Sequence, residues 1–101
     1  LMNAMEEYMR LANEEQLAIS DAIHQADADA VIYLFGSRVD DAAKGGDIDL
    51  LVLSKRINLM TKLEILAQLH QKLGERKIDI AVYRDTARPF PRMVMQEGVR
   101  L

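Results

Sequence analysis

Two short runs of alternating residues flank one long helical stripe, and this arrangement limits the chain more than anything else in it. Asp47 to Leu53 (DIDLLVL) and Lys77 to Tyr83 (KIDIAVY) have strand length and strand periodicity. Between them, Asn58 opens a segment whose Leu59, Leu63, Leu66, Leu69 and Leu73 recur at helical spacing, and Gly74 stands where a helix stops. A strand, helix, strand unit in one sheet crosses over right-handedly, so the two strands are expected to be parallel neighbours. A further strand is expected at Ala30 to Phe35 (AVIYLF), which ends at Gly36.

The remaining elements follow from caps and breakers. Asn13 before Glu14, Glu15 and Gln16 has the form of a helix start, and Leu17, Ile19, Ile23 and Ala26 continue it to about residue 27. Pro89, Phe90 and Pro91 are expected to form a turn before a short helix from Arg92 to Glu97, closed by Gly98. Residues 1–12 place Met2, Met5 and Met9 at helical spacing, an additional amphipathic helix whose Met-rich stripe suits an adaptable partner contact, although packing on its own domain is the favoured expectation. Periodicity alone therefore predicts a three-stranded sheet carrying helices.

Composition narrows the function. The 101 residues suffice for one domain, residues 1–101, with one thin core. There are 13 Lys and Arg against 16 Asp and Glu, a net charge of −3, which argues against stable nucleic-acid binding. The absence of cysteine excludes disulfides, thiolate zinc sites and a cysteine nucleophile. No apolar run approaches membrane-spanning length, and the apolar start is broken by Asn3, Glu6, Glu7 and Arg10 in a manner unlike a secretion signal, so a cytoplasmic location is expected.

Three carboxylates inside strands are the anomaly. Asp47 and Asp49 share a face by period-two alternation, and Asp79 sits between Ile78 and Ile80. Aspartate is poorly suited to strands, so three of them there mark a function. Two carboxylates about 4 Å apart repel by roughly 4 kcal/mol at an effective dielectric near 20, against a whole-domain stability of roughly 5–15 kcal/mol. Either a shared proton or a divalent cation relieves this, and an all-oxygen donor set suits Mg²⁺ or Mn²⁺ rather than zinc. A lone Asp-x-Asp is more often a solvated pair. Here it follows Gly36 and Ser37, small residues that end a strand and can close on phosphate, and Arg38. A phosphate cradle beside a metal site is equipment for phosphoryl or nucleotidyl transfer.

The run Gly36 to Val52 (GSRVDDAAKGGDIDLLV) resembles the signature of DNA polymerase β-like nucleotidyltransferases: Gly-Ser, about ten residues, Asp-x-Asp in a strand, and a third acid in a later strand. Chain length, the leading helix and the tail make the chain similar to the minimal nucleotidyltransferases of prokaryotes. The resemblance implies a small mixed sheet of three to four strands with helices packed mainly on one face. It implies nucleotide binding by Gly36, Ser37 and Arg38, the last either touching phosphate or bracing the loop. It further implies metal ligation and catalysis by Asp47, Asp49 and Asp79, with Mg²⁺ as cofactor and ATP as the nucleotide substrate. Many relatives have Gly soon after the Arg and Ser before the first Asp. Here Asp40 and Asp41 occupy the former region and Gly46 the latter, which affects loop shape and acceptor choice rather than the ligand set.

Such minimal enzymes are commonly antitoxins paired with a helical HEPN ribonuclease toxin, which some modify by adding AMP to a tyrosine. The resemblance thus implies a protein partner, with a hetero-oligomer as one arrangement. Two alternatives stand beside it: an antitoxin that masks its toxin by contact alone, and transfer to a small acceptor, for which so short a chain offers little enclosure. His24 and His70 are expected to have boundary or surface roles, and Lys44 to be solvated. Arg84, Arg88 and Arg92 form a basic patch too small for a nucleic-acid footprint, with docking of an acidic partner as the alternative.

Overall fold

The computed structural model describes residues 13–35, 47–74 and 76–101. Helix α1 (Asn13–Ala26) leads to strand β1 (Val31–Phe35). Strand β2 (Ile48–Leu53), helix α2 (Leu59–Leu73) and strand β3 (Ile78–Tyr83) follow, and helix α3 (Pro89–Glu97) and strand β4 (Val99–Arg100) close the chain. The strands form one mixed sheet in the order β3-β2-β1-β4. β2 and β3 are parallel, whereas β1 runs antiparallel to both β2 and β4. This is the small α+β architecture expected. The proposed helix over residues 1–12 lies outside the described residues.

One sheet face carries the main core. Ile32, Ile48, Leu50, Val52, Ile78 and Ile80 project from the strands to meet Ile19, Ala22 and Ile23 of α1 and Ile65 and Leu69 of α2. Alternation decides this: Ile48 and Leu50 are buried on either side of a half-exposed Asp49, and Ile78 and Ile80 flank an exposed Asp79. The other face is lined at its centre by Leu51, fully buried yet outside that cluster. There Phe90 of α3 meets Phe35 and Tyr83, with ring centroids 5.4 and 5.7 Å away. Two helices thus cover one face and the third crosses the other.

Several local expectations shift. The two prolines do not precede α3. They lie in its first turn, where the missing N–H groups would have had no helical partner anyway. Leu17 of the α1 stripe, and Leu59 and Leu63 of the α2 stripe, are exposed, while the other stripe members, Ile19, Ile23 and Ala26 of α1 and Leu66, Leu69 and Leu73 of α2, pack into the core. His24 has the boundary role expected: its Nε2 donates to the Ala30 carbonyl and its Nδ1 pairs with the Ser20 hydroxyl, each at 2.9 Å, closing α1 against the start of β1. His70 is exposed. An ion pair between Arg76 and Glu15 ties α1 to the segment entering β3. No helix among the described residues is long and apolar enough to cross a membrane.

Candidate active site

The central pair of strands places the acids. β2 and β3 run in register from Ile48 opposite Ile78 to Leu53 opposite Tyr83, and Asp49 is the Cα partner of Asp79. In-register residues on parallel strands project from the same face, so Asp49 and Asp79 stand side by side across one inter-strand spacing, about 4.8 Å. Asp47 precedes Asp49 by two residues and is half-buried like it, while Ile48 between them is buried on the core face. All three carboxylates therefore belong to the face opposite the main core, at the N-terminal ends of β2 and β3. A hydrogen bond from Ile48 N–H to the Lys77 carbonyl, 2.9 Å, fixes that end of the pair.

The backbone thus brings together the three acids named from sequence. Their side chains do not close into a ready-made cage: among the described residues no group of three or more His, Cys, Asp or Glu is arranged to hold a metal ion. By donor chemistry the set still fits a hard divalent cation, since all the ligating atoms are carboxylate oxygens. Asp79 is exposed, so its rotamer can adjust.

Gly36, Ser37 and Arg38 lie outside the described residues, as do Asp40, Asp41, Lys44 and Gly46. The last described residue before them, Phe35, is in register with Asp49 on the side away from Asp79. Asp49 therefore stands between an aromatic neighbour on one strand and a second carboxylate on the other. A strand-end aromatic held by Phe90 forms an apolar wall beside the acids.

A second polar cluster, not anticipated from sequence, sits at the opposite end of β2. The Ser54 hydroxyl donates to Asp27 Oδ2 at 2.6 Å and accepts from the backbone N–H groups of Arg56 and Ile57. Asp27 Oδ1 accepts from Asp29 N–H. Both side chains are buried. The Ser54 hydrogen bond, with that of Asp29 and the nearby charge of Arg56, holds the Asp27 carboxyl below the ordinary value of 3.8. This cluster is structural: it pins the turn that leaves β2 to the turn that leaves α1. The sequence signal for it was slight, an Asp breaking a helical pattern and a Ser ending a strand.

The patch of arginines also differs from expectation. Arg92 is spent locally, donating to the carbonyls of Thr86 and Ala87. Arg84 instead joins Lys55, Arg56 and Lys62 around a cavity at the C-terminal ends of β2 and β3.

A search of curated proteins found none that matches. A profile of the family described as "Polymerase beta, Nucleotidyltransferase" matches residues 7–101. That span contains every strand of the sheet and all three acids, in the order and strand positions by which the sequence resembled such enzymes. The chain belongs to the polymerase β-type nucleotidyltransferase family.

Proposed function

We propose that the protein transfers AMP from ATP to a hydroxyl group, with Mg²⁺ held by Asp47, Asp49 and Asp79. The observation that carries this reading is the register of Asp49 with Asp79 on the central parallel pair, with Asp47 on the same face. When bound, the cation supplies charge neutralisation on the phosphates. The acceptor oxygen bonds to the α-phosphorus, the bond to the β-phosphate oxygen breaks, and pyrophosphate leaves. Asp79, the exposed member of the trio, takes the hydroxyl proton. Gly36 and Ser37 hold the triphosphate, and Arg38 contacts it or braces their loop.

The acceptor we infer is a tyrosine on a HEPN ribonuclease toxin, with this chain as its antitoxin. The likeness of the sequence to minimal prokaryotic nucleotidyltransferases that pair with such toxins supports that reading. The test is incubation of chain and partner with α-labelled ATP and Mg²⁺. Label should reach the partner, and Asp49→Asn or Asp79→Asn should lower the rate at least about a hundredfold, as loss of a charge-stabilising group typically does. Undiminished labelling by either variant would sink the assignment.

A second reading, masking of the toxin by contact alone, is favoured by the lack of a preformed three-ligand cluster among the described residues. Under it, both variants would protect cells from the toxin as fully as the wild type.

A further inference from the structure

Parallel strands β2 and β3 end together, Leu53 beside Tyr83, and each is followed by basic residues: Lys55 and Arg56 after one, Arg84 after the other. Lys62, one turn into α2, joins them, and the four cations line a cavity of about 380 Å³ together with Ser54, Asn58 and Leu59. Among the described residues, no acidic one lines it. None of the four cations is ion-paired to a described residue. Four cations around one hollow, in a chain of net charge −3, repel one another, and nearby Asp27 offsets part of the charge of Arg56. Asp27 and Asp29 line an adjoining cavity of about 410 Å³ with Lys55, Arg56 and Arg84, and the Asp27 carboxylate is already hydrogen-bonded to the Ser54 hydroxyl and the Asp29 N–H.

The backbone adds donors of the same sign. α2 begins at this cavity, and the Asn58 side chain accepts from Thr61 N–H, leaving the amides of Leu59 and Met60 without a hydrogen bond to any described residue. The first turn of a helix favours anions, phosphate in particular. Lysine offers point charge and arginine a planar fork matched to phosphate oxygens. Leu59, two-thirds exposed, gives the rim an apolar ledge of the kind that ligand pockets use beside a few polar anchors.

We infer that this cavity is a second phosphate-binding site, for a small phosphorylated molecule held by Lys55, Arg56, Lys62, Arg84 and the first turn of α2. It is separate from the acids. Four residues of β3, Ile80 to Tyr83, separate Asp79 from Arg84, and the five steps span about 17 Å of strand. Free polyphosphate and a nucleotide share the required chemistry.

The test is titration of the full chain, without divalent cations, with pyrophosphate, ATP and, as a control, an oligoglutamate peptide, followed by amide resonances and calorimetry. Pyrophosphate or ATP should shift the amides of Lys55, Arg56, Leu59 and Met60. The double variant Lys62→Gln/Arg84→Gln should bind at least tenfold more weakly at these resonances while melting as the wild type does. Tighter binding of ATP than of pyrophosphate would identify a nucleotide as the source, and the reverse a free polyphosphate. The variant Asp49→Asn/Asp79→Asn should bind unchanged, so this inference stands or falls separately from the proposed catalysis. Absence of shifts at residues 54–62 with either phosphate, or shifts there with oligoglutamate alone, would overturn it. Should the double variant melt early, Lys55→Gln, whose side chain is exposed, reads the same loss.

Discussion

At the scale of single residues, function and stability oppose each other at the acids and agree at Ser54. Like charges directly opposite on neighbouring strands destabilise a sheet by a few tenths to about 1 kcal/mol. Asp79→Asn removes one charge of such a pair at an exposed position. Without metal it should leave denaturant stability equal to the wild type or up to about 1 kcal/mol higher, while nucleotidyl transfer falls; a loss of stability would contradict this account of the site. Ser54 behaves the other way. Its hydroxyl serves one buried carboxylate and two backbone N–H groups, so Ser54→Ala leaves all three short of a partner. The expected loss is about 1–3 kcal/mol, read from the urea midpoint. The cluster also sets a pH dependence. Because folding lowers the pKa of Asp27, its stabilising effect is fully present above 3.8, the ordinary value, and disappears as pH falls through the lower folded value. Asp27→Asn should therefore be less stable than the wild type at pH 7, with the difference shrinking in acid. A difference that held constant from pH 7 down into that acid range would show that the charge of Asp27 contributes nothing.

At the scale of elements, what was legible in the sequence had short-range causes. Alternation in DIDLLVL and KIDIAVY set both strands and the face of each acid, and Asn58 and Gly74 bounded α2. The parts that were not legible depend on distant neighbours. β4 is two residues long and exists because Val99 and Arg100 pair with Leu34 and Tyr33, an address no local pattern carries. The α2 stripe of five leucines held only in part: Leu66, Leu69 and Leu73 pack into the core with Ile65, while Leu59 and Leu63, in the first turns, lie outside. The basic cavity was missed because its four cations come from three separate stretches of chain. Two glycines show the same contrast. Gly74, at φ 76° and ψ −146°, has backbone angles that side-chain-bearing residues rarely adopt, a requirement the helix stop itself announces. Gly98 has ordinary angles, but a Cβ there would lie 2.7 Å from the Val94 carbonyl oxygen and 2.8 Å from that of Leu34. Gly98→Ala must push α3 away from β1, and overpacking of this kind costs about 1–3 kcal/mol. Thermal melting of Gly98→Ala beside the innocuous exposed substitution Gln96→Ala checks it: equal melting temperatures would mean that α3 is not fitted closely to the sheet.

At the scale of the whole molecule, three carboxylates gather at the N-terminal ends of β2 and β3, and four cations gather at their C-terminal ends beside the hydrogen-bonded Asp27. The two ends share a rigid, buried core, with Leu50, Leu51 and Val52 between them at no more than 1% exposure. A ligand of opposite sign bound at either end would relieve repulsion among these charges, and any such ligand stabilises the native state by mass action. If the acids hold Mg²⁺, the melting temperature should rise with the logarithm of Mg²⁺ concentration once past the dissociation constant, reaching about 2.7 kcal/mol of added stability at a hundredfold excess over it. The screening of surface charge by salt gives no such specificity, so an equal ionic strength of NaCl is the control. Asp49→Asn/Asp79→Asn should lose the Mg²⁺ increment and keep the smaller NaCl effect, because it removes the ligands without altering the core. An increment that survives in this variant would place the cation elsewhere, and with it the chemistry assigned to the three acids.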